Sequence, residues 1–356
     1  MEIAVRTAQS EPSRIKSILS QDLGFGRIFA DQMFCMRFTE SAGWHDSEII
    51  PYGPIPLAPS AMVLHYGQEI FEGQKAYRWA DGRIAMFRPE ANAARFNSSA
   101  RRMVMPEIPV DVQVRATLEL VSRLRDWVPE PPSSLYVRPT MIASEPALGV
   151  RPAKEYLYFI IGSPVGPYFP KGFAPIRVKA EEHYVRAAEG GTGAAKTGGN
   201  YAGALRAQTD AKAEGYDGNL WLDAKHHRYI EEFGAMNVLF VLEGKLVTSP
   251  LLGSILPGIT RESILKMARD EGRPVDERRL SIEEVTAGIE KGTLTEAFGA
   301  GTAAVVTPIG TIGWRGKDYV IGDNKPGALT KHIYDTLTGM QYGRVPDRYG
   351  WVRTIE

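Results

Sequence analysis

The stretch EGGTGAAKTGGNYAGA, residues 189–204, places one lysine, Lys196, among glycine, alanine and threonine residues. It misses the phosphate-binding pattern G-x-x-x-x-G-K-[ST] by one residue, because Ala195 stands where the pattern requires glycine. That pattern works only between a strand and a helix that begins at the lysine. The upstream residues HYVRAAEGG make a poor buried strand, and Gly198-Gly199 disfavours a helix there. A nucleotide-binding loop and an ordinary exposed loop lysine are therefore two interpretations, neither of which explains the whole stretch.

A third interpretation of Lys196 is covalent chemistry. A lysine that attacks a carbonyl must be neutral for part of the time, and burial among small apolar groups favours the neutral amine. Such a lysine can form a Schiff base with pyridoxal phosphate, and flanking glycines leave room for a flat ring. This interpretation predicts cations or backbone N–H groups for the phosphate elsewhere in the sequence, and a carboxylate for the pyridine nitrogen.

Composition narrows the function classes. The 356 residues carry 42 lysines and arginines against 42 aspartates and glutamates, so we expect neither a nucleic acid nor a membrane as partner. The single cysteine, Cys35, excludes an intramolecular disulfide, and His226-His227 has no accompanying cluster of carboxylates or cysteines, so we expect no metal site. The N-terminal residues have no apolar core of signal-peptide length, which predicts a cytoplasmic protein.

The segment SPVGPYFPKGFAP, residues 163–175, holds four prolines and two glycines and is the predicted connection between two domains. We expect a smaller mixed α/β domain over 1–162 and a larger one over 176–356 that carries Lys196, without the regular alternation of a Rossmann sheet. The most distinct predicted elements are helices at 90–103, 111–127, 201–215 and 259–270, strands at 134–142 and 155–162, a hairpin turn near Gly244, and a capping box of Ser281 and Glu284.

Several motifs, taken in order, resemble one family. In the second half these are AAKTGGNYAGAL, YIEEFGAMNVLFV, ILPGITRESIL and FGAGTAAVVTPIG, and in the first half HYGQEIFEGQKAYR, FRPEANAARFNSSARRM, LYVRPTMIASEPALGV and GPYFPKG. Together they are similar to the branched-chain amino acid aminotransferases of PLP fold type IV, from about residue 25 to about residue 340. The resemblance implies two mixed α/β domains and pyridoxal 5′-phosphate as cofactor. Motifs in this order are far more specific than one glycine pattern.

The resemblance assigns cofactor contacts residue by residue. Lys196 matches the Schiff-base lysine that also moves the substrate's α-proton, and Tyr201 matches the tyrosine that contacts the cofactor's phenolic oxygen. Glu232 matches the carboxylate that keeps the pyridine nitrogen protonated, so that the ring can stabilise a carbanion. Its neighbour Glu231 is predicted to point to the opposite face of the strand. The implied phosphate contacts are Arg95, the helix start at Gly258, Ile259 and Thr260, and Thr302.

The resemblance also implies a pocket that accepts both apolar side chains and glutamate. Its matching aromatic residues are Tyr66, Phe71, Tyr136 and Tyr168. Arg138 matches the residue that meets the distal carboxylate of glutamate, and strand alternation puts it on the same face as Tyr136. The substrate's α-carboxylate is expected at the backbone N–H groups of Thr302 and Ala303. Leu148 and Val150 match a loop that covers the partner subunit's site, which implies a homodimer.

The implied reaction is a reversible, ping-pong transfer of the amino group between L-leucine, L-isoleucine or L-valine and 2-oxoglutarate. Alternatives within the fold are an aminotransferase for D-amino acids or amines and aminodeoxychorismate lyase, and Arg138 in its YVRP context favours the first reaction. Alternatives from other classes are a P-loop-like nucleotide-binding protein and a non-catalytic pyridoxal phosphate carrier. The sequence does not rank the three amino acids, since one methylene in an apolar pocket is worth only about 1–3 kcal/mol.

Overall fold

The computed structural model of the protein describes residues 2–6, 12–166 and 173–355, with side chains described from residue 14 onward in the second range. Tyr168, one of the predicted substrate contacts, and the middle of the predicted connection at 163–175 lie outside the described residues. Within the described part of the chain, no helix has the length and apolar character needed to cross a membrane.

The first part of the chain is rich in strands. Its strands are β1 Ala4–Val5, β2 Gln32–Thr39, β3 Gly43–Pro51, β4 Glu69–Phe71, β5 Gln74–Arg78, β6 Ile84–Phe87, β7 Ser134–Ala143 and β8 Glu155–Val165. Its helices are α1 Pro12–Leu19, α2 Met62–Tyr66, α3 Pro89–Arg102 and α4 Val110–Arg123, with a 3-10 turn at Arg125–Trp127.

The second part again mixes both element types. Its strands are β9 Ile176–Glu181, β10 Gly218–Leu222, β11 Ile230–Phe233, β12 Met236–Leu242, β13 Lys245–Thr248, β14 Val275–Glu277, β15 Leu294–Gly301, β16 Val305–Trp314, β17 Lys317–Val320 and β18 Val352–Ile355. Its helices are α5 Gly198–Ala202, α6 Leu205–Ala213, α7 Ile259–Asp270, α8 Ile282–Glu290 and α9 Ala328–Gln341. The mixed α/β class is as predicted.

Local sequence signals account for most of these elements. The helices predicted at 90–103 and 259–270 are confirmed by α3 and α7, and the hairpin between β12 and β13 turns at Gly244. Ser281 caps α8, since its hydroxyl accepts the Glu284 N–H at 3.1 Å. The helix predicted at 201–215 is wrong in its detail, because the chain forms two short helices, α5 and α6, instead of one.

One sheet consists of the strands of the first part of the chain together with the C-terminal strand β18. Its strand order is β1-β3-β2-β8-β7-β5-β6-β18, with β4 also paired to β7. Strand β7 alternates between buried Val137 and Met141 on one face and half-buried Arg138 and Thr140 on the other. The buried face packs on helices α3 and α4 around a core that includes Phe96. The opposite face, with Arg138 and Thr140, is not packed into this core.

The other sheet closes on itself. Strands β11, β10, β9, β16, β15 and β12 pair in that order, and β11 pairs back with β12. A two-residue turn at 234–235 connects β11 to β12, and Gly234 in it has a φ of +53°. The ladder next to the turn consists of the pairs Phe233–Met236 and Glu232–Asn237. Glycine suits that turn because it adopts positive φ without strain. The turn fixes where Glu232 projects.

The chain divides into two compact units that differ from the predicted domains. The first comprises residues 1–168, Ala195–Gly198 and Gly339–Glu356, and it is the larger of the two. The C-terminal segment belongs to it because β18 pairs antiparallel with β6. Lys196 also belongs to this unit and not, as predicted, to the one formed by most of the C-terminal half.

The predicted connection begins later than expected. Ser163–Val165 continue β8 and pair with β7, although Pro164 lies among them. The pairing of β8 with β2 ends at Ile161, so Pro164 is in a part of the strand with one partner strand, where a missing N–H is tolerated.

Cys35 on β2 is predicted to be a slow nucleophile. Burial raises the pKa of its thiol to about 11, while Arg37 opposes and Glu48 reinforces the shift. The thiolate is the reactive form, so at pH 8 the folded protein should react with a disulfide reagent about 100-fold more slowly than the same chain unfolded in guanidinium. Absorbance of the released thiol measures both rates. Equal rates would contradict the assignment.

Candidate active site

Lys196 is fixed by its backbone to residues of the first unit. Its N–H donates to Ser99 Oγ at 2.9 Å, and its carbonyl accepts the Phe71 N–H at 2.9 Å. Two residues on, the Gly198 N–H donates to the carboxylate of Glu69. The Lys196 amine lies 5.0 Å from the centre of the Phe71 ring. The backbone that carries the Lys196 amine is therefore held by hydrogen bonds at Lys196 and at Gly198.

Arg95, a predicted phosphate contact, is a positioned cation on α3. It lies one helical turn before Ser99, so the two side chains share a face of the helix. Its Nε donates to Glu72 Oε1 at 2.7 Å and its Nη2 to Oε2 at 2.8 Å. The Arg95 side chain is 10% exposed and that of Glu72 only 1%. Sequence analysis missed Glu72, although it lies in the quoted FEG motif.

Tyr136 and Arg138 lie on the same half-buried face of β7, as alternation predicts. The Arg138 Nη2 donates to the Tyr136 hydroxyl at 3.1 Å, and its guanidinium carbon lies 4.6 Å from the Phe71 ring centre and 5.2 Å from that of Tyr136. Within the described residues, Arg138 Nε is buried and has no hydrogen-bond acceptor. A guanidinium with an unsatisfied donor therefore lies against two aromatic rings.

Lys75 is a second amine beside this face, and sequence analysis missed it. It lies opposite Tyr136 in the ladder between β5 and β7. Burial lowers the pKa of Lys75 to about 8, because the low-dielectric surroundings disfavour its charged form. No local sequence signal marks it, since it sits in an ordinary strand pattern.

Tyr66 and the predicted loop residues lie at the surface of the same unit. Tyr66 ends α2, is 40% exposed, and donates its hydroxyl to the Leu148 carbonyl. The side chains of Leu148 and Val150 are 64% and 84% exposed. The structure thus brings Tyr66 to this loop and leaves two apolar side chains uncovered within the described chain.

Glu232 is the centre of a hydrogen-bond network in the second unit. Its Oε1 accepts the Leu256 N–H at 2.9 Å and Asn237 Nδ2 at 3.3 Å, and Asn237 Nδ2 also reaches the Leu256 carbonyl at 3.0 Å. Leu256 stands two residues before Gly258, the N-cap of α7. The predicted pyridine carboxylate and the predicted phosphate cradle are therefore joined through Asn237.

Arg186 supplies the counter-charge of Glu232. Its Nε lies 2.8 Å from Glu232 Oε2, and the two side chains are 7% and 4% exposed. Its Nη2 donates to the Ser254 carbonyl at 2.9 Å and to the Gly193 carbonyl at 3.1 Å. Arg186 was missed because it falls in HYVRAAEGG, a segment with no periodic pattern.

Glu231 occupies a different environment from its neighbour. Its Oε1 accepts the Ser254 hydroxyl at 2.5 Å, and burial raises the pKa of its carboxyl, while Arg186 lowers it. Glu231 and Arg186 thus both bind Ser254, the first through its hydroxyl and the second through its carbonyl.

The remaining predicted cofactor and substrate residues lie in the second unit. Gly258 is the N-cap residue of α7 and has an extended backbone, so the helix begins at Ile259 and Thr260 and the positive end of its dipole lies there. Thr302 and Ala303 form the half-buried turn between β15 and β16. Tyr201 is half-buried in α5.

The structure also explains the glycines around Lys196. A Cβ at Gly193 would overlap the Ser254 carbonyl oxygen, and a Cβ at Gly198 would overlap Glu69 Oε1. Close packing against the Ser254 backbone thus accounts for Gly193, and the approach of the Glu69 carboxylate favours glycine at 198. No strand is present in the described residues 182–197, so the strand of a P-loop is missing. The short helix α5 does begin at Gly198, contrary to the expectation from its two glycines.

Comparison with known proteins decides the family. The family model described as amino-transferase class IV matches residues 69–312. The chain belongs to the class IV aminotransferase family. The enzyme is 50% identical to a branched-chain-amino-acid aminotransferase of Mycolicibacterium smegmatis over 346 residues, 96% of this chain and 94% of the relative.

Solved structures agree with that family. The Escherichia coli branched-chain amino acid aminotransferase has a TM-score of 0.76 and 27% identity to this aminotransferase, covering 87% of this chain and 97% of that one. The branched-chain aminotransferase of the thermophilic archaeon Thermoproteus uzoniensis, solved with norvaline, has a TM-score of 0.75 and 26% identity, with 91% and 100% covered. The alternative of a P-loop nucleotide-binding protein is thereby wrong.

Arg186→Met in this aminotransferase should destabilise the fold strongly, because it leaves Glu232 charged, buried and without its cation. We expect a loss of about 3–5 kcal/mol in the free energy of unfolding, measured by urea denaturation. Adding Glu232→Gln should recover part of the loss. The control Arg228→Met breaks the exposed pair with Glu283 and should cost no more than about 1 kcal/mol. Equal effects at Arg186 and Arg228 would show that the buried pair is not stabilising.

Proposed function

We propose that this aminotransferase transfers the amino group reversibly between L-leucine, L-isoleucine or L-valine and 2-oxoglutarate by a ping-pong mechanism. The observation that carries the proposal is Arg138, whose guanidinium lies against Phe71 and Tyr136 and keeps a buried donor without an acceptor. Aromatic walls suit a branched aliphatic side chain, whereas the unsatisfied donor suits a carboxylate. One face of β7 thus supplies both chemistries. The names of the relatives support the same substrates.

We propose pyridoxal 5′-phosphate as the cofactor, because the groups present have the chemistry to hold it. For the phosphate, Arg95 of the first unit would supply a guanidinium. In the second unit, the α7 start at Gly258, Ile259 and Thr260, and Thr302, would supply N–H or hydroxyl donors. Glu232 would accept a hydrogen bond from the protonated pyridine nitrogen, and Arg186 and the Leu256 N–H stabilise the negative charge of its carboxylate. When bound, the cofactor supplies an electron sink for negative charge at the substrate's α-carbon.

The proposed roles of the remaining residues are those that the family resemblance implies. Lys196 would hold the cofactor covalently through its amine, and the same amine, once free of that bond, would move the proton between the substrate's α-carbon and the cofactor's C4′. Tyr201 donates its hydroxyl to the cofactor's phenolic oxygen. The N–H groups of Thr302 and Ala303 bind the substrate's α-carboxylate. Tyr66, Phe71, Tyr136 and Tyr168 form the apolar walls around the substrate side chain.

We also propose a homodimer located in the cytoplasm, acting on small molecules without nucleic acid or membrane partners. The exposed apolar side chains of Leu148 and Val150 support the dimer, since a second copy would remove them from water. The balanced charge of 42 basic and 42 acidic residues supports the absence of a nucleic-acid partner.

Lys196→Ala tests the proposed cofactor chemistry. The wild-type protein should absorb in the near-ultraviolet to violet range after dialysis, and the variant should lose both this absorption and all measurable transamination, because no amine remains to attach the cofactor. The control Lys225→Ala, at an exposed turn, should keep both. A wild-type protein that lacks pyridoxal phosphate and binds ATP would overturn the proposal.

Arg138→Ala tests the proposed substrate pair. The variant should slow the half-reaction with glutamate by about 10- to 100-fold, because a hydrogen-bonded ion pair with the distal carboxylate is lost, and should change the leucine half-reaction far less. Single-turnover spectra with each amino acid measure the two rates. The control Arg83→Ala removes an exposed arginine of the first unit and should change neither. Equal losses with both amino acids would exclude the assigned role.

A further inference from the structure

Glu69 is a half-buried carboxylate to which the resemblance gives no role. It is the first residue of β4, which pairs with β7 so that Glu69 lies opposite Ile142 and Phe71 opposite Thr140. Side chains two residues apart on a strand share a face, and Glu69 and Phe71 are both half-buried while Ile70 between them is buried. Glu69 therefore lies on the face that carries Arg138.

Glu69 holds the turn that follows Lys196. Its Oε1 accepts the Gly198 N–H, and its carboxylate also accepts a hydrogen bond from the Thr197 side chain. Two positions along the same strand, the Phe71 N–H binds the Lys196 carbonyl at 2.9 Å. Strand β4 thus binds the Lys196–Gly198 segment at both ends. A Cβ at Gly198 would overlap Glu69 Oε1, so glycine at this position lets the Glu69 carboxylate approach the backbone N–H.

Glu69 also acts on Arg138 through space. Burial raises the pKa of Glu69, whereas the Gly198 and Thr197 hydrogen bonds and the charge of Arg138 lower it. The Arg138 Nη2 donates to the Tyr136 hydroxyl, and its Nε has no acceptor among the described residues, so Glu69 offsets the charge of this cation without occupying its donors. Arg138 Nε is left for a ligand.

We propose that Glu69 is a positioning and specificity-determining residue that sets the balance between apolar and dicarboxylate substrates. With a leucine side chain in the pocket, Arg138 has no ligand charge to meet, and a partly buried, uncompensated cation is costly. The Glu69 carboxylate offsets that cost. With glutamate in the pocket, the same carboxylate repels the second acid and weakens its binding. One fixed negative charge therefore favours leucine over glutamate on both counts.

The inference rests on the proposed function, and Glu69→Gln separates the two. Glutamine keeps an oxygen for the Gly198 N–H but removes the charge. We expect the ratio of kcat/KM for glutamate to that for leucine to rise about 3- to 10-fold, a shift on the order of one unit charge acting across a half-buried site. Single-turnover measurements on the holoenzyme with each amino acid give the ratio. Glu155→Gln, an exposed position on β8, makes the same charge change away from the site and should leave the ratio unchanged.

Further variants distinguish charge from structure. Glu69→Ala removes both the charge and the hydrogen bond, so it should raise the ratio and also slow both half-reactions. Glu69→Asp keeps the charge but shortens the side chain that holds the Gly198 N–H, so it should slow both half-reactions without a comparable change in the ratio. A Glu69→Gln variant with the wild-type ratio, or with equal losses for both amino acids, would overturn the inference. A wild-type protein inactive with leucine or glutamate would instead refute the proposed function.

Discussion

The ion pair of Arg186 with Glu232 is the interaction on which the second unit's functional residues depend. A carboxylate only 4% exposed stays ionised only where positive charge and N–H donors surround it, and Arg186, Asn237 and the Leu256 N–H do so. The same three partners tie down the loop before α7 and the carbonyls of Ser254 and Gly193. Charge state and loop geometry are therefore one constraint and cannot vary independently.

The first unit also contains a buried ion pair, formed by Arg95 and Glu72. Glu72 is 1% exposed and binds Arg95 through two parallel hydrogen bonds, which orients the guanidinium before any anion arrives. A cation whose rotamer is already fixed loses less entropy on binding than a free side chain. Each unit thus presents a pre-oriented charged group: a cation in the first, an anion in the second.

The sequence proposes which groups react, whereas the contacts that hold those groups are seen only in the structure. Lys196 and Glu232 stand in motifs read along the chain, and strand alternation was sufficient to place Tyr136 and Arg138 on one face. The supporting residues were missed, because no periodic pattern in the sequence shows which partner each of them contacts. They are Glu69, Glu72, Arg186 and Asn237. The main break between the two units falls inside the predicted connection at 163–175. The sequence did not indicate that the C-terminal segment joins the first unit, because β18 pairs with β6 in the first third of the chain and no local pattern reports such a pairing.

The closed ring of strands has a consequence for association between copies of the chain. A ring gives each of its six strands two neighbours, so the described strands of the second unit paired on one side only are β14 and β17, three and four residues long. Both carry charged residues, Asp276 and Glu277 in one and Lys317 and Asp318 in the other. Short, charged edges are poor templates for strand addition. This unit should therefore resist edge-to-edge aggregation even at the high concentrations at which open sheets polymerise.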